Sequence, residues 1–451
     1  MAIYIVMPMK YISLFKNREL QAIAVKSWDI SWPMIFIMFF EFVINLTDVY
    51  IAGKLGREYQ AAVGFVSTLY FIFVVIGNAL TIGTVAVTAR QFASDRQAFA
   101  DSAWSITVTI LVLGGLLGVF GLLFSPLILS IIHIPREVKE VAGPLLEIYA
   151  ASLVFHYFLI NSNGLMRAGD MIRKSMSTMA VTALSNIILN FILVFHTPLG
   201  YRGIALSTAL SVLLGCILNY LHLGPVLRQK KTFSRENVKR IAVIGWPAVL
   251  LRGAWQLGST VLFLIIGSLP FHSVETLAAF TNGMRIESAI FLPAFAFNMA
   301  NAVIVGNYLG QKKTDDAFRA GLITAFLSVI VIVILTLLVV LNAGQLSRFL
   351  SNDSIVVAES IRYIYISMIS EPFMAWAVVL SGGLNGAGDT RSVMIIVVMS
   401  LWLVRIPLAY VLGITAGLGA PAIWWAMNAS IFLHALFVTR RYLQRNWLYD
   451  E

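Results

Sequence analysis

The sequence predicts an all-α polytopic membrane protein with twelve transmembrane helices in two pseudo-symmetric six-helix bundles. Three observations carry that expectation: a composition too apolar for a water-facing surface, apolar runs of bilayer length, and signatures that recur about 214 to 219 residues apart. Hydrophobic residues make up 59% of the 451 and charged residues 12%, with a mean hydropathy of +0.85. Soluble domains carry about 25% charged residues. A chain this poor in charge cannot cover its own surface with polar groups, so its solvent is mostly lipid.

A bilayer core about 30 Å thick needs about 20 helical residues to cross it. Residues 1–27 lack the charged start, apolar core and small-residue cleavage site of a signal peptide, so they are expected to stay as a cytoplasmic leader. Spans follow at 28–52, 61–88, 101–127, 143–164, 175–196 and 203–224, giving a first bundle over 28–224. A basic linker over 225–240 leads to a second bundle over 241–438, with spans at 241–267, 276–306, 317–342, 358–384, 392–413 and 419–438. Residues 439–451 form a tail. A closed β-barrel is the other spanning solution, but runs such as Leu327 to Leu341 show no inside/outside alternation.

The net charge of +10 does not mark a nucleic-acid binder, because the basic residues sit in short loops and form no continuous stripe. With the N-terminus in the cytoplasm, about 22 Lys and Arg fall on that side, about 6 on the other and about 4 within spans. This asymmetry predicts a cell-membrane protein with both termini cytoplasmic. The longest basic stretch, Arg228 to Arg240, reads as a solvated linker, with lipid-headgroup contact as the alternative. Cys216 is the only cysteine, which excludes intrachain disulfides and Cys-rich metal sites. The six histidines are scattered, with no H-E-x-x-H pattern, and no G-x-x-x-x-G-K-[ST] loop is present. A membrane-embedded enzyme and direct ATP drive are therefore not expected.

The halves repeat. Pro33 returns as Pro247, Ala98-Phe99 as Ala317-Phe318, and Gly164-Leu165-Met166-Arg167-Ala168-Gly169-Asp170 as Gly383-Leu384-Asn385-Gly386-Ala387-Gly388-Asp389. Six spans per half make the repeat parallel, a design found in transporters that rock one half against the other, although channels also contain repeats.

Span one carries two acids. Glu41, Asn45 and Asp48 fall at i, i+4 and i+7 and share a helical face. At 1.5 Å per residue, Glu41 lies about 12 Å and Asp48 about 22 Å beyond Pro33. A carboxylate in a bilayer is a functional candidate by default. Burial disfavours its charged form and a bound cation favours it, which is what ion exchange requires; the alternative is an acid that only packs helices. Asn186 and Asn190 in span five, Thr208 in span six and Asn163 at the end of span four offer oxygens, or ordinary interhelical hydrogen bonds. In the second half, Trp255 and Leu262 stand at the places of Glu41 and Asp48, and Arg405 at that of Asn186. Arg252, Arg285, Glu287, Glu371 and Arg405 there read as structural or gating charges, with a part in substrate or proton handling as the alternative. Arg285 is expected to pair with Glu287 or Glu371, although neighbours two apart in a helix point to different faces, so Arg285 and Glu287 need not pair with each other. Pro33 and Pro247 sit near expected span starts, where a missing N–H costs least.

An ordered set of fragments resembles the multidrug and toxic compound extrusion (MATE) family, prokaryotic type. It comprises Asn45-Leu46-Thr47-Asp48 with Gly53-Lys54-Leu55-Gly56, Arg285-Ile286-Glu287-Ser288 through Pro293, Gly386-Ala387-Gly388-Asp389-Thr390-Arg391, and Arg405-Ile406-Pro407-Leu408-Ala409-Tyr410. The resemblance implies a monomeric antiporter in membrane lipid that exports small organic, often cationic, compounds as protons or sodium ions flow in. No cofactor beyond the coupling ion is implied. It also implies a first-half cation site at Asp48, Asn163, Asn186 and Thr208, with sodium held by Asp48, Asn186 and Thr208. Asn190 departs from that pattern, which has an aspartate there, and Glu41 is expected to supply the missing charge for the coupling ion or for a cationic substrate. A second-half site with a carboxylate in span seven is missing from this chain. Pro33 is implied to bend with site occupancy. A lipid-linked oligosaccharide flippase of the same superfamily is the runner-up reading.

Overall fold

The computed structural model describes residues 18–132, 135–228 and 231–448. No strand occurs among them. The first-half helices are α1 (Arg18–Leu55), α2 (Arg57–Ser94), α3 (Arg96–Ile131), α4 (Arg136–Ala168), α5 (Ile172–Phe195) and α6 (Arg202–Leu227). Then come α7 (Arg235–Gly267), α8 (Ser273–Gly310), α9 (Thr314–Leu341), the short α10 (Ala343–Leu350), α11 (Ser354–Ser367) and α12 (Glu371–Gly386). Last are α13 (Thr390–Thr415) and α14 (Ala420–Leu443). Among the described residues, eleven helices are long and apolar enough to cross a membrane. The pair α11 and α12, bent by 54° at their break, passes the same test together and brings the candidates to twelve when counted as one span.

Local chemistry sets the joints. Gly56 separates α1 from α2 at φ +144°, a conformation that side chains with a Cβ rarely adopt. Asp95 and Asp353 cap α3 and α11, each accepting from two backbone N–H groups of the first turn. The helices overrun the apolar segments that reveal them. α1 starts ten residues before the expected 28, so only residues 1–17 of the leader lie outside the described residues, and α7 takes in the end of the expected linker. Pro33 and Pro247 therefore sit inside helices and not at their first turns, which corrects the sequence expectation. Each removes a mid-helix hydrogen bond, the usual cause of a bend.

Two compact units form. One holds residues Phe36–Val249; the other holds α1 as far as Ile35 together with the chain from Leu250 onward. In the first, α4 packs on α2, α3 and α6. In the second, α12 takes the same place against α8, α9 and α14, so the packing scheme repeats with the sequence. Both cores are apolar: Ile106, Ile110, Leu145 and Tyr157 in one, Ile266, Ile332, Tyr363 and Trp424 in the other. The copies also differ. α4 is continuous, whereas its counterpart breaks between α11 and α12, and α13 contains π-helical turns at Ser400–Arg405 and Val411–Thr415.

Candidate functional site

Within the Phe36–Val249 unit, four side chains from three helices converge on Asp48 of α1. Asn190 Nδ2 donates to Asp48 Oδ1 at 2.8 Å and Asn186 Nδ2 to the same oxygen at 3.4 Å. Thr208 Oγ1 donates to Oδ2 at 2.7 Å, and the Tyr149 hydroxyl reaches that oxygen at 3.5 Å. Asp48 is 6% exposed, and Asn186 and Asn190 are fully buried. The donors also bond one another: Asn186 Nδ2 to Thr208 Oγ1 at 3.1 Å and Asn190 Nδ2 to Asn186 Oδ1 at 3.3 Å. Helical spacing explains the convergence, since Asn186 and Asn190, four apart on α5, present two amides to one neighbour.

This arrangement solvates an anion without water. It also leaves one acceptor idle, because Asn190 Oδ1 is buried without a partner. A buried polar atom without a partner is costly and calls for an explanation. Rotation of that amide would exchange its N–H donor for an oxygen facing Asp48, and the two settings suit a charged and a protonated carboxyl respectively.

Of the sequence candidates, Asp48, Asn186, Asn190 and Thr208 are brought together. Asn163 is not. Its Oδ1 accepts from Ser175 Oγ and Asn219 Nδ2, both at 2.9 Å, and its Nδ2 meets Met179 Sδ. Asn163 lies fourteen residues along α4 from Tyr149, about 21 Å away at 1.5 Å per residue, which is why it cannot share the carboxylate. Glu41 is half-buried and lies within electrostatic reach of Arg167, a buried residue near the end of α4. It makes no hydrogen bond to the Asp48 group among the described residues, and Asn45 is exposed, donating to the Glu41 backbone carbonyl. Two residues escaped the sequence reading. Tyr149 gives no signal, since a lone tyrosine in an apolar run reads as packing. Arg167 stands in the recurring Gly164–Asp170 signature and could have been singled out as an intramembrane charge.

In the other unit, Glu287, Glu371 and Arg405 are buried and lie within electrostatic reach of one another. Arg285 is exposed and pairs with neither acid, which corrects the expected pairing: two residues before Glu287 on one helix, it points to another face. Arg252 is likewise exposed, with its guanidinium 5.8 Å from the Phe295 ring.

Comparison with known proteins gives a consistent picture. The MatE family model matches twice, over residues 33–192 and 247–411. The chain is 25% identical over 461 residues to a Thermotoga maritima protein named "Probable multidrug resistance protein NorM", covering 97% of each chain. It is 20% identical to the "Uncharacterized transporter YisQ" of Bacillus subtilis, over 97% of this chain and 98% of that one. Among solved structures, a MOP superfamily transporter from Pyrococcus furiosus Vc1 superposes with a TM-score of 0.86 at 20% identity, covering 99% and 100% of the two chains. A MATE protein in complex with MaL6 gives 0.87 at 20% identity, covering 97% and 98%.

Proposed function

The chain belongs to the MATE family of multidrug efflux transporters, and we propose that it exports organic, cationic and amphipathic compounds in exchange for protons by alternating access. The observation that carries this reading is the buried Asp48 carboxylate held by Asn186, Asn190, Thr208 and Tyr149. A proton needs a single acceptor once the carboxyl takes it up, and Asn190 Oδ1 supplies one after an amide rotation. Sodium is a hard cation that needs several oxygens and negative charge at once, and Asn190 leaves Asp48 as the one acid of this group. The chemistry of the donor set thus favours the proton.

In this reading Asp48 carries the coupling ion and the two asparagines with Thr208 stabilise its charged state. Glu41, beside Arg167, acts at the substrate or gating step, and Pro33 lets α1 bend as Asp48 changes charge. The surplus of Lys and Arg in alternate loops supports cytoplasmic termini.

The test is uptake of a panel of fluorescent cationic dyes into inverted membrane vesicles under separately imposed gradients. A proton gradient is expected to drive accumulation and a sodium gradient at equal pH is not. Accumulation under sodium alone would replace the proton in this account, and no response to either gradient would remove the exporter.

A further inference from the structure

We propose that the lipid-facing seam between α5 and α6 binds an anionic phospholipid, whose phosphate is held by Lys174, His222 and Arg228. All three lie within the Phe36–Val249 unit, where α5 and α6 pack against each other. Lys174 is exposed in the first turn of α5, and Arg228 is exposed directly after the last residue of α6. Lys174 lies within electrostatic reach of the His222 ring on α6, so the two helix ends meet. Neither Lys174 nor Arg228 forms an ion pair among the described residues. His222 Nδ1 is buried without a hydrogen-bond partner. A buried polar atom of this kind calls for one. A phosphate oxygen supplies it once the ring carries its proton on Nδ1.

Beyond the cations the seam turns apolar. On α5, Lys174, Val181 and Ile188 recur every seven residues and so share a face, and all three are exposed. On α6, Leu221 and Arg228 have the same spacing, and Leu221 is 60% exposed. Each helix therefore presents an apolar stripe that ends in a positive charge at the same end of the bundle. That pattern complements a lipid, with its negative headgroup at the cations and its acyl chains along the stripes. Basic pockets between membrane helices on the cytoplasmic side hold anionic headgroups in this way. A zwitterionic lipid fits the stripes as well, but its headgroup brings a positive charge of its own toward Lys174 and Arg228.

The repeat shows the same place with its charges satisfied from within. The step of 219 residues from Asp170 to Asp389 carries Lys174 to Val393 and His222 to Arg441. In that second copy Arg441 Nε donates to Asp389 Oδ2 at 2.7 Å, and Val393 is buried. The first copy has no such closure. Asp170 is exposed and forms no ion pair among the described residues, so Lys174 and Arg228 are left for an anion from outside. The bound lipid ties α5, the helix that carries Asn186 and Asn190, to the bilayer surface. Its placement in the inner leaflet rests on the cytoplasmic orientation proposed above; its anionic class does not.

The experiment uses the full-length protein with Cys216→Ser and Leu221→Cys, carrying a fluorescent label at residue 221 and reconstituted into vesicles. The vesicles hold equal amounts of phosphatidylglycerol and phosphatidylcholine, with only one of the two brominated in each preparation. Bromine quenches a label that touches its acyl chain, so the two preparations report which lipid occupies the seam. A roughly fivefold preference for phosphatidylglycerol is expected at residue 221. Lys174→Gln combined with Arg228→Gln should bring the two lipids to equal quenching. A label placed by Ile330→Cys in the Cys216→Ser background, exposed on α9 in the other unit, should show no preference. Equal quenching at residue 221 in the protein with both cations, a preference that survives the double substitution, or the same preference at residue 330 overturns the proposal.

Discussion

Two oxygens of Asp48 take hydrogen bonds from two amides and two hydroxyls, so protein donors replace the water a carboxylate would otherwise hold. Such bonds favour charge, and burial opposes it. Asn190 is the position where this balance is most readily moved. Its Nδ2 lies 2.8 Å from Asp48 Oδ1, so Asn190→Asp would set a second acid against the first. Two carboxylates in one site demand a cation or a proton between them. The variant is expected to gain dye accumulation under a sodium gradient at equal pH, which the parent protein lacks. An unchanged sodium response would separate Asn190 from the ion site. The acid, its two asparagines and Thr208 were legible in the sequence, because an acid in an apolar span and amides at helical spacing announce themselves. Asn163, included on the family resemblance, bonds instead to Ser175 and Asn219, a depth along α4 that the sequence alone does not give. Tyr149 was silent because its hydroxyl matters only through a contact between α4 and α1.

Among the elements, α8 and α12 approach backbone to backbone. Gly382 and Gly386, four apart on α12, lie against the carbonyls of Asn298 and Ala302, and a Cβ on either would stand 2.1 Å from the oxygen. Asn298 and Asn301 donate across to the Val378 and Val379 carbonyls at 2.6 and 2.7 Å. Small residues of this kind replace the missing hydrophobic drive between helices in lipid. Gly386→Val should destabilise the unit by about 1–3 kcal/mol or more, seen as a lower midpoint in thermal unfolding followed by size-exclusion chromatography in detergent. A midpoint equal to that of the parent protein would contradict this packing. Apolar length revealed every span, yet it could not reveal how far helices run past the lipid, because polar turns beyond the bilayer leave no hydropathy signal. Hence α1 begins at Arg18 and its proline lies in the interior. The break before Glu371 did leave a mark: Ser370-Glu371-Pro372 is a helix start, with proline in the first turn, inside an apolar run that hid it.

On the scale of the whole molecule, duplication explains the shared packing scheme, and charge asymmetry fixes the expected orientation. Cys216 is buried, so a Cys216→Ser background permits single-cysteine mapping. Arg136→Cys, at an exposed position opening α4, should react with a membrane-impermeant maleimide in intact cells. Lys312→Cys, exposed between α8 and α9, should react only after permeabilisation. The reverse pattern would invert the topology and with it the direction of the proton.

All of these readings place the engine of transport in one carboxyl group. Asp48→Asn preserves size and hydrogen bonding but carries neither charge nor an exchangeable acid proton. In vesicles with an imposed proton gradient, this variant is expected to equilibrate a cationic dye down the dye's own gradient while losing uphill accumulation. Accumulation at the rate of the parent protein would contradict the account at its centre.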